Sequence, residues 1–244
     1  EKIWGGTKLR DVYGYDIHII TADLKGRATH FALSDKITLH DVGVSEKFML
    51  HAYGRRLNKI LCEIRPDICV SVGGRDIFCL PSCTDGSIKV SEFHFSHDKY
   101  AVKYGGSFFG NIYARFRMRQ IEKVAAKLDK FIVLTKSDKK DWEPFVPNVA
   151  SIYNPLTFKS EEVAALDNKK CIAIGRLESQ KNFRDLVAAW KYVAEEYPDW
   201  VLEIYGNGSL KESLQKQITS LGLDLQGRLM GSSSDIRSKM LDRS

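Results

Sequence analysis

Two cations, Arg176 and Lys181, stand five residues apart in the stretch GRLESQKNF, Gly175 to Phe183. A short apolar run, Cys171-Ile172-Ala173-Ile174, comes just before them, and a helical pattern follows. Two cations behind a glycine at the exit of a buried strand have two readings. They are ordinary solvated loop charges, or they are aimed at an anion. Other candidates share the location: Gly73, Gly74, His94, Gly206 and Gly208 all lie just past predicted strands. Ligands of open α/β sheets bind beyond the carboxyl ends of the strands. A histidine there suits proton transfer or hydrogen bonding near neutral pH, and glycines let the backbone come close to a ligand.

The elements that must position these residues follow from hydrophobic period. Tyr15–Thr21 reads as a strand. Ser45–Ile64 reads as a helix, with Leu50, Tyr53, Leu57, Ile60, Leu61 and Ile64 on one side, stopped at Pro66. Ile68–Val72 reads as a buried strand, Ile88–Ser91 as a strand, Gly110–Lys127 as a helix and Phe131–Thr135 as a strand. Asn148–Pro155 reads as a boundary, within the stretch VPNVASIYNPL, Val146–Leu156, which carries two prolines and two asparagines. The alternation then restarts with the strand Cys171–Ile174. A helix striped by Phe183, Leu186, Val187, Trp190, Val193, Ala194 and Tyr197 follows, capped by Asn182 and ended by Pro198. Val201–Tyr205 is a strand, Ser209–Leu221 a helix and Arg228–Gly231 a strand. Alternating strands and helices imply parallel sheets covered on both faces. The expectation is an α/β protein of two Rossmann-like doubly wound domains, residues 1–153 and 154–244.

Composition narrows the partners. The 244 residues carry a net charge of +6, which suits an anionic partner without naming it. No zinc finger, RNP-type aromatic motif or basic zipper is present, so no nucleic-acid partner is expected. No apolar run approaches the roughly 20 residues that span a bilayer. The start, EKIWGGTKLR, lacks the apolar core of a secretory signal. Five cysteines, an odd number without a paired framework, point to a reduced, cytoplasmic setting. Cys79 and Cys83 lack the further ligands of a zinc site, so no metal is expected. The stretch Tyr113–Lys130 is basic and helical. It reads either as a solvated face or as a peripheral contact with anionic membrane. Arg115, Arg117 and Arg119 do not share one tight face, which counts against the membrane.

Several stretches taken together resemble the retaining family 4 glycosyltransferases of the GT-B fold. They are NPL at Asn154–Leu156, AIGRLESQKNFRDLVAAW at Ala173–Trp190, LEIYGNGSLKESLQKQITSLGL at Leu202–Leu223 and LMGSSSDI at Leu229–Ile236. YDIHIIT, RPDICVSVG, SEFHFS and DKFIVLTKSD agree more loosely. The resemblance implies two domains facing across a cleft, acceptor-side in the N-terminal half and nucleotide-sugar-binding in the C-terminal half. It implies transfer of a sugar from a nucleotide diphosphate donor, with UDP preferred over GDP on family frequency. The acceptor would be a glycan or a lipid-linked glycan of bacterial surface polysaccharide synthesis.

In that reading Arg176 and Lys181 hold the donor diphosphate, in place of a divalent metal. Gly206, Asn207 and Gly208 approach the nucleotide, and Gly5, Gly6 and Thr7 border the phosphates. His94, rather than His97, sits beside the transferring sugar. A nucleotide-sugar epimerase of similar shape and a non-catalytic nucleotide- or glycan-binding module are the competing readings.

The chain departs from the family pattern in three places. Only EKIW precedes Gly5, and the eight residues Thr7–Gly14 leave no room for a helix and turn before Tyr15. The family's E-x7-E carboxylate segment does not appear after GSSSDI. The expectation is a truncated C-terminal domain, with segments of a longer protein absent from the sequence.

Overall fold

A computed structural model of the chain describes residues 9–26, 33–44, 49–155, 161–164 and 168–241. The chain divides into two compact units, Glu1–Pro155 and Leu156–Ser244.

In the first unit residues 9–13 are helical, so the short joint before Tyr15 does hold helical residues. Strands β1 (His18–Thr21) and β2 (Thr38–Asp41) pair in parallel. Helix α1 (Leu50–Ile64) follows, beginning later than its sequence pattern implies; residues 45–48 lie outside the described set. Its buried positions Tyr53, Leu57 and Leu61 recur every four residues. It ends where Arg65 turns left-handed (φ 52°), its N–H returning to the Leu61 carbonyl at 2.8 Å, before Pro66 forbids another turn. Strand β3 (Ile68–Ser71) leads through two 3-10 turns, Arg75–Phe78 and Leu80–Ser82, to β4 (Ile88–Phe93). Helices α2 (Lys99–Tyr104) and α3 (Phe108–Ala125), strand β5 (Lys130–Val133), helix α4 (Lys136–Trp142) and strand β6 (Val149–Ser151) complete the unit. The stretch read as a boundary thus contains an edge strand, whose Val149 pairs with Phe131 and packs in the core.

The strand order β3-β4-β5-β6 is parallel throughout. One face of this sheet packs against a core that joins α1, α3, Phe93, Phe131, Val133, Trp142 and Val146. Phe93, Phe131 and Trp142 meet with ring centroids 4.7–5.6 Å apart. Burying an aromatic ring of this kind contributes about 1.5–3 kcal/mol. Lys89 also points into this face. Its ammonium donates to Asp85 Oδ1 at 2.5 Å and to Ser87 Oγ at 2.6 Å, which satisfies a charge that burial would otherwise penalise.

The opposite face departs from expectation. Ile68, Val70 and Val72 are exposed, as are Ile88 and Ile152, so β3 is not a buried strand and this sheet is not covered on both faces among the described residues. Side chains alternate across a strand, and the helices that form this core all pack on the Ser71, Ser91 and Phe131 side. Nor do the unit's strands form one sheet. β1 and β3 do not pair, and a cavity of about 130 Å³, lined by His18, Ile20, Leu61, Ile68 and Val70, lies beside their facing edges.

His18 and His40, on β1 and β2, stack with Nδ1 of the first 2.8 Å from Nε2 of the second. One ring must accept, so the pair requires a neutral imidazole. Burial, then the charge of His18, holds His40 below its ordinary value of 6.5. The folded state therefore binds fewer protons there than the unfolded chain. The expected result is a stability that is flat above pH ~6.5 and falls as pH drops through and below it. Thermal unfolding from pH ~5 to ~8 measures this, and His40→Gln should flatten that acid limb.

In the second unit β7 (Lys170–Ile174), β8 (Val201–Tyr205) and β9 (Gly227–Gly231) form a parallel sheet in sequence order. Helix α5 (Phe183–Glu196), α6 (Lys211–Ser220) and α7 (Ile236–Leu241) connect or follow them. Phe183, Val187, Trp190 and Ala194 of α5 pack with Leu202 and Ile204 of β8 and with Leu214 and Ile218 of α6. The other side of β8 carries Glu203 and Tyr205, both buried, with the phenol donating to the carboxylate at 2.9 Å. Asn182 does not cap α5 as its type suggests. It adopts a left-handed conformation (φ 51°), and its amide donates to Asp185 Oδ2 at 2.6 Å instead of its oxygen accepting a helix N–H.

Candidate functional site

Three loops meet at the carboxyl ends of β7, β8 and β9. The sheet's hydrogen bonding continues into them. Gly175 N donates to Tyr205 O at 3.0 Å, Leu177 N to Asn207 O at 3.0 Å and Gly206 N to Gly231 O at 2.8 Å. The Asn207 amide donates to Ser232 Oγ at 2.9 Å. Between them lies a depression of about 240 Å³ lined by Arg176, Gly206, Asn207, Ser232, Ser233 and Ile236. Arg176 is exposed on its rim, anchored by the wholly buried Leu177 next to it.

The glycines serve an internal purpose. Gly206 has φ +148°, and a Cβ there would overlap the Gly175 carbonyl oxygen. A Cβ on Gly208 would overlap the Leu177 carbonyl. The G-x-G therefore exists at least in part to let the β8 loop touch the β7 loop, which the bare spacing does not reveal. Lys181 ends a 3-10 turn, Ser179–Lys181, and its aliphatic stem passes beside Gly175.

Glu178 was not foreseen from the sequence. Its carboxylate accepts the Ser209 N–H at 2.9 Å and the Ser209 hydroxyl at 2.8 Å. These bonds, with Arg176 adding attraction, hold it below the usual carboxylate range. An ionised Glu178 ties the loop that carries both cations to the loop that follows β8. The signal was available: an acid two residues after Arg176 and a serine directly after the G-x-G. A strand-end pattern alone does not pair them.

His94 belongs to the first unit. It is half-buried at the end of β4, with Nε2 3.4 Å from Glu92 Oε2. Both line an apolar hollow of about 540 Å³ on the open sheet face, with Asp16, His18, Ile132 and Tyr153. Residues two apart on a strand share a face, so Glu92 was legible as the partner of His94. His97 is packed instead, with Nε2 3.0 Å from Glu122 Oε1 and its ring stacked on Phe145 and edge-on to Trp142. Gly5, Gly6 and Thr7 lie outside the described residues. Among the described residues no three His, Cys, Asp or Glu side chains gather as a metal site, and all five cysteines are free thiols.

Comparison with known proteins finds similarity in both sequence and fold. Residues 157–242 match the family described as glycosyl transferases group 1. That span contains Arg176, Lys181 and the Gly206–Gly208 loop. A protein of Haemophilus influenzae described as an uncharacterized glycosyltransferase is 27% identical over 217 residues, which cover 86% of this chain and 58% of the relative. The chain thus spans little more than half the length of that relative. Among solved structures, TarM of S. aureus, crystallised with fondaparinux, alpha-GlcNAc-glycerol and UDP, superposes with a TM-score of 0.64. It is 19% identical, over 78% of this chain and 39% of that one. The lipopolysaccharide outer core galactosyltransferase WaaB gives a TM-score of 0.64 at 15% identity, over 93% of this chain and 71% of that one. At such identities the likeness is one of fold: an α/β protein with parallel sheets, similar to GT-B glycosyltransferases.

Proposed function

We propose that the protein of which these residues form part or all is a glycosyltransferase that moves a sugar from a nucleotide diphosphate-sugar to a glycan or lipid-linked acceptor. The observation that carries this reading is the three-loop depression at the carboxyl ends of β7–β9, with Arg176 on its rim, inside the segment that matches group 1 glycosyl transferases. Its volume suits a pyrophosphate or part of a nucleotide, and Asn207, Ser232 and Ser233 supply polar side chains around the cation.

As the bond from anomeric carbon to phosphate oxygen breaks, negative charge grows on the leaving diphosphate. Arg176, with Lys181 close in sequence on the same loop, stabilises it, and the two cations together do the work of a divalent ion. The favoured course is retention, with the leaving phosphate accepting the acceptor's hydroxyl proton on the face it vacates. His94, held by Glu92, orients the sugar or the acceptor hydroxyl. The UDP in the TarM structure supports UDP as the donor's nucleotide. The WaaB likeness supports an acceptor in surface polysaccharide synthesis.

The test is titration with UDP-, GDP- and ADP-sugars followed by thermal unfolding, with product analysis in the presence and absence of acceptor. A selective rise in melting temperature with a UDP-sugar is expected, and a glycosylated product only when acceptor is present. An altered sugar nucleotide formed without acceptor would identify an epimerase. Binding without any product would identify a binding module.

A further inference from the structure

We propose that the hairpin of α2 and α3 is a docking surface for an anionic lipid bilayer. The hairpin is held tightly. The Ser107 hydroxyl accepts the Gly110 N–H at 3.0 Å and caps α3, and at Gly105 and Gly110 a Cβ would overlap the carbonyls of Ala101 and Tyr104. One side of α3, Ala114, Met118, Ile121 and Ala125, is buried in the core of its unit. The side that remains is apolar where a surface helix is usually polar. Phe108 is 74% exposed, Phe109 80% and Phe116 57%, and Ile112 and Tyr113 are exposed beside them. At about 100° per residue these five fall within an arc of about 140°. Val102 of α2 adds a further exposed apolar side chain, at 82%.

Charge selects the partner. Between Lys99 and Lys127 there are seven lysines and arginines and one carboxylate, a formal +6, equal to the net charge of the whole chain. The carboxylate, Glu122, is engaged by His97. Arg117 turns inward to Gln120 and lies over the rings of Phe78 and Tyr100. Arg115, Arg119 and Lys123 are all exposed, and their spacing of four puts them in one row, beside the Phe108-Ile112-Phe116 row on the same side of the helix. The three arginines thus divide into one inward residue, Arg117, and two that join Lys123 in an outward row. Between the hairpin and Phe145 a groove of about 600 Å³ is lined by Phe108, Ile112, Arg115 and Arg119 and also by the carboxylates Asp98 and Glu122. Aromatic rings at headgroup depth with cations beside them are the chemistry of an interfacial helix on acidic lipid. A second copy fits worse, because a two-fold contact would set this positive face against itself. Among the described residues no helix is long and apolar enough to cross a membrane, so the contact is a peripheral one.

The inference does not depend on the transfer reading, and its test reads no sugar chemistry. The full chain is sedimented with vesicles of phosphatidylcholine alone, or with about 30% phosphatidylglycerol. Pelleting with the acidic vesicles is expected to exceed that with neutral ones by about tenfold or more, and to fall as salt rises. Two triple variants, Phe108→Ser/Phe109→Ser/Phe116→Ser and Arg115→Gln/Arg119→Gln/Lys123→Gln, change only exposed side chains, and circular dichroism checks that they fold. Each is expected to lose about tenfold or more in partition. Wild-type protein that stays in the supernatant, or variants that pellet as well as wild type, would overturn the proposal. So would a dimer in gel filtration that the phenylalanine variant dissolves without any vesicle binding, which would assign the face to a second copy.

Discussion

Arg176→Ala is expected to lower kcat/KM for sugar transfer by about 10²–10³-fold, the usual effect of removing one preorganised donor from a site of developing charge. The melting temperature should hardly move. The side chain is exposed on the rim of the depression and contributes nothing to the core, which at this point is supplied by Leu177. Arg176→Lys keeps the charge but loses the planar fork that matches phosphate oxygens, so an intermediate loss is expected. Lys181→Ala should act in the same direction. Initial rates over a range of donor concentrations, paired with thermal unfolding of each variant, measure both quantities. Normal rates in Arg176→Ala and Lys181→Ala would remove the diphosphate assignment from this loop.

Gly206→Ala should damage stability and donor binding together. The residue sits at φ +148°, a region that side chains other than glycine rarely adopt, and its new Cβ would overlap the Gly175 carbonyl oxygen. Backbone strain of this kind costs about 1–3 kcal/mol. The overlap adds to it unless the two loops separate. If they do separate, the bonds Gly175 N to Tyr205 O and Leu177 N to Asn207 O lengthen, and Arg176 moves with them. Donor affinity should therefore fall in a variant that alters no side chain in the depression other than adding a methyl. Urea unfolding and nucleotide titration on the same preparation test this. A variant with wild-type stability and weakened binding would instead mean that Gly206 is kept for room at the ligand.

Much of the fold was legible because its elements repeat their apolar residues at the right period. The α5 stripe and the β8 run fall where their patterns put them. What escaped notice lacks that signal. Helix α4 has the sequence KSDKKDW and buries only Trp142; its start is set by Thr135, whose hydroxyl accepts the Asp138 N–H at 3.0 Å. Strand β2, TLHD, buries none of its four residues, and β6 has three residues inside a proline-bearing stretch. The open face of β3 escaped for a different reason. An apolar run of Ile, Val and Val looks the same whether or not something covers it.

At the candidate site, the sequence marks Arg176 and Lys181 by type and place. It does not mark the clasp from Glu178 to Ser209, which joins residues 31 apart and exists only once the two loops have met.

The strand orders described above also bear on how the chain acquires its structure. In β3-β4-β5-β6, and again in β7-β8-β9, every strand lies beside the one made just before it. Among the described strands of these two sheets, none has to wait for a later segment to be inserted between it and its neighbour, so each pairing closes over a single connection rather than over several elements. Such a sheet can grow in the direction of synthesis, each new strand and helix laid on an edge already in place as the ribosome releases it.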